Sequence, residues 1–178
     1  VVLDTNGTPN KVTDDFVIYT PNGQSIGEDS FEYTICDSTG QSCATGKVFI
    51  NVLPISPVNF NINTVPYPTL SEYNFFEGDI ANQEPVYGVL PYELISPLFT
   101  DYAHKNRFVW MPYGVKAQYE GDGNLLNFPT GSILIKTFYY ENVLPNNSTQ
   151  IIETRLLIKK ADGWIFADYI WNEDQTEA

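Results

Sequence analysis

Apolar residues recur at every second position through much of this chain, which is the signature of strands with two distinct faces. DFVIYT (15–20), DSFEYTI (29–35) and ATGKVFINVL (44–53) each predict a strand, and VVL (1–3) adds a fourth. Phe31, Tyr33 and Ile35 share one face, with Glu32 and Thr34 on the other. In the last of these strands Val48, Ile50 and Val52 alternate with Phe49, Asn51 and Leu53. Both faces are therefore apolar, predicting a strand covered on both sides. Pro21-Asn22-Gly23 reads as a turn.

Farther along, 107–111 and 115–119 predict a hairpin around Pro112-Tyr113-Gly114. Three more strands follow at 132–140, 150–159 and 164–171, joined by 141–149 and by Ala161-Asp162-Gly163. Ile133, Ile135, Thr137 and Tyr139, with Ile152, Thr154, Leu156 and Ile158, form the expected core face. Leu134, Lys136, Phe138 and Tyr140 lie opposite. One stretch departs from the two-residue period. Thr69-Leu70-Ser71-Glu72 fits a capping box, and Leu70, Tyr73 and Phe76 make a one-sided stripe, predicting one short helix ended by Gly78.

The four prolines within 53–68 fix φ and withhold donors, so this segment reads as a stiff connection. The expected organisation is an Ig-like module at 1–54, a Pro-rich linker at 55–68 and an antiparallel β domain at 69–178. The fold class is mainly β: a partial Ig-like β-sandwich, then an antiparallel β domain with one short helix. A complete sandwich needs about seven strands. Only four are legible before Leu53, so an open apolar face and sheet edge are expected there, inviting self-association by strand addition.

Cys36 and Cys43 flank the polar loop DSTGQS. In a hairpin they fall opposite one another, within disulfide reach, which implies an oxidising, exported location. Two buried free thiols are the alternative. A metal site would need further ligands. The net charge of −13 repels phosphate backbones and anionic lipid, so neither nucleic acid nor peripheral membrane attachment is expected. No stretch has the apolar length of a membrane span. The chain opens on Val1 without a signal-peptide pattern, and is expected to be a mature or internal piece of a longer precursor.

Two resemblances add to this reading. YTPNGQSIGEDSFEYTICDSTGQSCATGKVFINV resembles the C-terminal half of a bacterial Ig-like repeat of the cadherin-like tandem kind, with Gly27, Asp29, Ser30, Phe31, Tyr33, Thr34, Val48, Ile50 and Val52 carrying the match. GVLPYELISPLFTDYAHKNRFVWMP (88–112), FPTGSILIKTFYY (128–140), ETRLLIKKADGW (153–164) and YIWNEDQTEA (169–178) together resemble the region preceding the haem domain in a family of bacterial diheme c-type cytochromes. That resemblance implies haem c in a downstream domain, electron transfer performed there, and neighbouring domains of the same precursor as partners. No C-x-x-C-H motif occurs in this chain, so it implies no cofactor within these residues. The competing expectation is a surface adhesin or extracellular filament subunit assembled through Ig-like modules.

Candidate chemistry is sparse. His104, the single histidine, could ligate iron but sits in the polar run AHKNR and reads as an exposed side chain. Glu153 and Arg155 share a strand face and are expected to pair, and no glycosidase-like carboxylate couple can be selected. Asp122 and the pair Asp14-Asp15 could offer oxygen ligands to calcium without any recognised loop, and read as solvated turn acids. Asn6, Asn146 and Asn147 head N-glycosylation patterns, and Asp37-Ser38-Thr39 fits a looser O-glycosylation pattern. Trp110, Tyr139, Tyr140, Trp164, Tyr169 and Trp171 could stack on carbohydrate, but at this spacing read as core. No catalytic, cofactor-binding or metal residue is assigned. Cys36 and Cys43 are the only site residues, as a disulfide.

Overall fold

The computed structural model describes residues 1–9, 11–21 and 26–178, which separate into two compact units, Val1–Pro54 and Ile55–Ala178. The turn expected at Pro21-Asn22-Gly23 falls largely outside the described residues. The fold is mainly β and antiparallel, as the alternation predicts.

In the first unit β1 (Val2–Asp4) pairs with β2 (Phe16–Ile18), and β3 (Gly27–Cys36) with β4 (Cys43–Val52). The second pair is a continuous ladder from Gly27↔Val52 to Cys36↔Cys43, placing Phe31 opposite Val48. Phe31, Val48, Ile50 and Val52 make one half-buried face. The expectation that β4 is covered on both sides is corrected. Among the described residues β4 pairs only with β3, and Phe49 on its far face is 78% exposed with the Lys47 ammonium 5.3 Å from its ring. None of the described residues in this unit is buried.

The second unit is built on a five-stranded sheet, β5 (Val89–Pro91), β6 (His104–Trp110), β7 (Ile133–Val143), β8 (Ser148–Lys160) and β9 (Gly163–Ile170), each strand antiparallel to its neighbour in that order. Ile133, Ile135, Leu156 and Ile158 are fully buried on its inner face, joined by Phe108 and Trp110 of β6. Burying each such aliphatic side chain stabilises the fold by about 1.5–3 kcal/mol.

The expected core face is right except at one point. Phe138 pairs with Glu153 but Tyr139 pairs with Ile151, so the ladder skips Ile152 at a bulge. The skipped residue turns the face over, burying Ile151 and leaving Ile152 exposed.

Three further expectations are corrected. Residues 55–68 do not act as a free connection, because Val65 is buried and Val58, Phe60 and Tyr67 pack against the core of the second unit. Proline stiffness suits a strap as well as a linker. The short helix is a single 3₁₀ turn, Ser71–Tyr73. Glu72 accepts from the Thr69 N–H as a capping box requires, yet Asn74 turns left-handed (φ 55°) and ends the helix before Gly78. The hairpin around Pro112 does not form. β6 finds its partners in β5 and β7, and 115–119 keeps one bridge, Gln118↔Asn127. Gly131 (φ +91°) lies so close to Pro112 that a Cβ there would stand 2.7 Å from the Pro112 ring.

Candidate functional site

The disulfide follows from the β3–β4 register. Cys36 and Cys43 are the last cross-strand pair, with Cα atoms 4.0 Å apart, and they are bonded. Between them Asp37 accepts from the Thr39 hydroxyl and from the backbone N–H groups of Thr39 and Gln41. The Thr39 hydroxyl above all, and then these N–H groups, hold the Asp37 carboxyl below its usual range.

In the second unit the side chains that looked most chemical are divided between structural roles. Trp110, Tyr169 and Trp171 are buried, Tyr139 and Trp164 are half-buried, and Tyr140 is exposed, so they form no common platform. Buried polar groups link up instead. Asn106 donates to the Gln83 carbonyl (3.0 Å) and the Gln83 amide to the Thr137 hydroxyl (2.9 Å). The Thr137 and Thr154 hydroxyls bond at 2.9 Å, and the Trp171 indole N–H donates to Thr154 at 3.0 Å. A second group joins the Tyr73 and Tyr169 hydroxyls at 3.0 Å, with Tyr169 donating to the Tyr67 carbonyl. Burial and the hydrogen bond to Tyr73 drive the Tyr169 phenol far up, so it stays protonated. Sequence reading placed Thr137 and Thr154 on the core face but could not foresee Gln83, which lies far away in sequence and reaches them only after folding.

His104 is half-exposed on β6, stacked on Tyr139 with ring centroids 5.3 Å apart and 3.9 Å from the Glu141 carboxylate. Glu153 and Arg155 do pair, at 2.5 Å. Asp14 bonds Lys11 at 3.0 Å, and Asp122 accepts from the Tyr119 hydroxyl. No group of three potential metal ligands comes together among the described residues. Asn6, Asn146, Asn147 and the Asp37-Ser38-Thr39 turn are all exposed.

What period two could not show is how the basic residues assemble across strands. The register sets Arg107 beside Lys136 and Lys136 beside Arg155, with Lys105 opposite Phe138. Lys159 lies two pleats along β8 from Arg155. Five of the nine basic residues of the chain therefore occupy the outer face of one sheet. Lys136 and Arg155 both stand over the Phe138 ring, at 4.7 and 5.0 Å. Three carboxylates accompany them: Glu93 at 3.3 Å from Arg107, and Glu153 and Asp168 at Arg155. Partial burial, then repulsion from Lys105, Arg107 and Arg155, lowers the Lys136 ammonium below its ordinary range, with Glu153 opposing. Beside this cluster a groove of about 550 Å³ is lined by Lys105, Arg107, His104, Glu93, Phe99 and Tyr102, among others.

Residues 1–51 match the family model of a bacterial Ig domain. The match lies within the first unit, whose paired β ladders fit an Ig-like structural module. None of the curated proteins and none of the solved structures matches the chain. The cytochrome resemblance of the second unit thus gains no support from these comparisons. The disulfide fits an oxidising environment, and no helix among the described residues is long and apolar enough to cross a membrane.

Proposed function

We propose that this chain is a non-catalytic structural and docking region of an exported bacterial surface protein, with the Ig-like unit as a spacer. The match of residues 1–51 to a bacterial Ig domain carries the reading. The Cys36–Cys43 bond supports it, because such a bond persists outside the reducing cytosol. Brief protease treatment of intact producing cells tests the location. Loss of the protein without lysis is expected, and full protection until lysis refutes surface display.

The wording of residues 88–178 supports a finer placement beside the haem-bearing domain of a multidomain c-type cytochrome. Electron transfer would be the work of that domain. Haem staining and an absorbance scan of the native protein from the cell envelope test this. A Soret band travelling with the polypeptide is expected, and its absence removes the cytochrome placement while leaving the structural role. One observation favours a second reading, a filament or adhesin subunit: the described residues of the Ig-like unit include none that is buried. Sedimentation velocity over a hundredfold concentration range separates the two, since strand addition between copies yields a growing series and a spacer yields one species.

A further inference from the structure

The outer face of the five-stranded sheet gathers positive charge in a chain that is otherwise strongly acidic. Beyond its five basic residues, four others remain against 22 acidic ones in the whole sequence. Three of the five, Lys105, Lys136 and Lys159, have no carboxylate within ion-pair distance among the described residues. Arg107 is the most informative. Its side chain is only 6% exposed, yet its single side-chain hydrogen bond among the described residues goes to Glu93, which is 79% exposed. A guanidinium has five N–H donors in a planar fork that fits a carboxylate bidentately. None of the Arg107 nitrogens is both buried and without a partner, so the donors that Glu93 leaves unused open onto the groove that Arg107 lines, where a second carboxylate can accept from them.

Charge is only half of the surface. The segment 93–103 walls the groove and turns apolar side chains outward, with Ile95, Leu98, Phe99 and Tyr102 all strongly exposed. It is anchored at its base, where Lys105 donates to the Leu98 carbonyl at 2.5 Å and the Tyr92 N–H to the Arg107 carbonyl at 3.0 Å. The groove volume falls in the range of specific binding pockets.

We propose that this face, centred on Lys105, Arg107 and Lys136 and rimmed by Leu98, Phe99 and Tyr102, docks an acidic, apolar-containing segment of a partner polypeptide. A polypeptide places carboxylates and aliphatic groups side by side, matching both halves of the surface. An acidic glycan has no counterpart for Ile95 and Leu98. An anionic bilayer is repelled by the net charge of −13 and by Glu93, Glu153 and Asp168 on the same face. The inference rests on the docking role proposed above and deepens it by naming the face and the chemistry of the partner; it can fail in the titration below while surface display stands.

The test is an amide-shift titration of the 178-residue chain at low salt. The probe is a capped heptapeptide alternating Glu with Leu and Phe; polygalacturonate and anionic lipid vesicles form the comparison arms. Saturable shifts confined to 93–107 and the middle of β7 are expected with the peptide. Its affinity should fall about tenfold between 50 and 200 mM salt, on the order expected for screened surface charges. Lys136→Gln, a half-exposed site that leaves the core untouched, should weaken binding about fivefold, and Arg107→Met more. Absence of saturable shifts overturns the proposal, as does peptide binding indifferent to Lys136→Gln. Saturation by polygalacturonate or vesicles in place of the peptide also overturns it, reassigning the face to that partner.

Discussion

Replacing Thr154 by valine keeps the shape of the second unit's core and removes one oxygen. Thr154 is fully buried, and its hydroxyl serves both Thr137 (2.9 Å) and the Trp171 indole N–H (3.0 Å). Valine leaves the indole N–H without an acceptor in the interior, which costs about 1–3 kcal/mol, and deletes the Thr137 contact, worth about 1 kcal/mol. Thr154→Val should therefore destabilise the unit by about 2–4 kcal/mol, a large share of a typical domain's stability. Urea unfolding followed by tryptophan fluorescence isolates this unit, because Trp110, Trp164 and Trp171 all belong to it. With a slope near 2 kcal/mol per molar, the midpoint should drop by about 1–2 M. Thr137→Val strands the Gln83 amide in the same way. The double variant loses the shared Thr137–Thr154 bond only once, so it should fall short of the summed single losses by about 1 kcal/mol. A midpoint shift below about 0.3 M for Thr154→Val, or strict additivity of the pair, would refute this account of the network.

Three more outcomes can be checked. Cys36→Ser with Cys43→Ser removes a cross-link spanning seven positions, whose loop-closure value is about 2–2.5 kcal/mol, and limited proteolysis should then cut the first unit well before the second. Gly131→Ala must both hold a left-handed φ of +91° and displace Pro112, so thermal unfolding should show a loss of about 1–3 kcal/mol, and an unchanged midpoint would contradict the contact. Glu177 anchors the last residues through the Ser71 hydroxyl at 2.5 Å and the Ser71 N–H at 3.2 Å. Burial works against its ionisation, but these bonds and that from the Ala178 N–H prevail, holding its carboxyl below the usual range. A depressed folded-state value contributes stability above the ordinary glutamate range and loses it as pH falls through the folded value. The protection of the Leu70 amide, bonded to the Ala178 carbonyl at 2.8 Å, should therefore fall on acidification once the intrinsic exchange rate at each pH is divided out, and Glu177→Gln should abolish that fall.

Period-two alternation is enough to find β3, β4 and the β7–β8–β9 meander, although it marks a buried face only in the meander, and in β3 and β4 no more than a half-buried one. It also put the two cysteines opposite each other. It failed where side-chain pattern and pairing partner part company. Residues 115–119 alternate as well as any strand, yet β6 pairs with the distant β7, and nothing local announces that. The bulge at Ile152 was invisible because an apolar residue is compatible with either face. The prolines of 53–68 suggested separation, whereas Val65 and its apolar neighbours mark attachment. The basic cluster had a faint signal in Lys105, Arg107 and Lys136, each at an outward position. Seeing it as a cluster required the cross-strand register, which alternation alone does not supply.

The paired threonines carry one more consequence, for which alignment of the strands is chosen. Sliding β7 past β8 by two residues would keep every aliphatic side chain inward, so hydrophobicity alone barely forbids it. Such a slip would set Thr137 against Leu156 or an equivalent apolar neighbour and leave the Gln83 carboxamide facing hydrocarbon. The hydroxyls thus act as a key cut to a single notch: a misaligned sheet could look just as greasy, but it could not close.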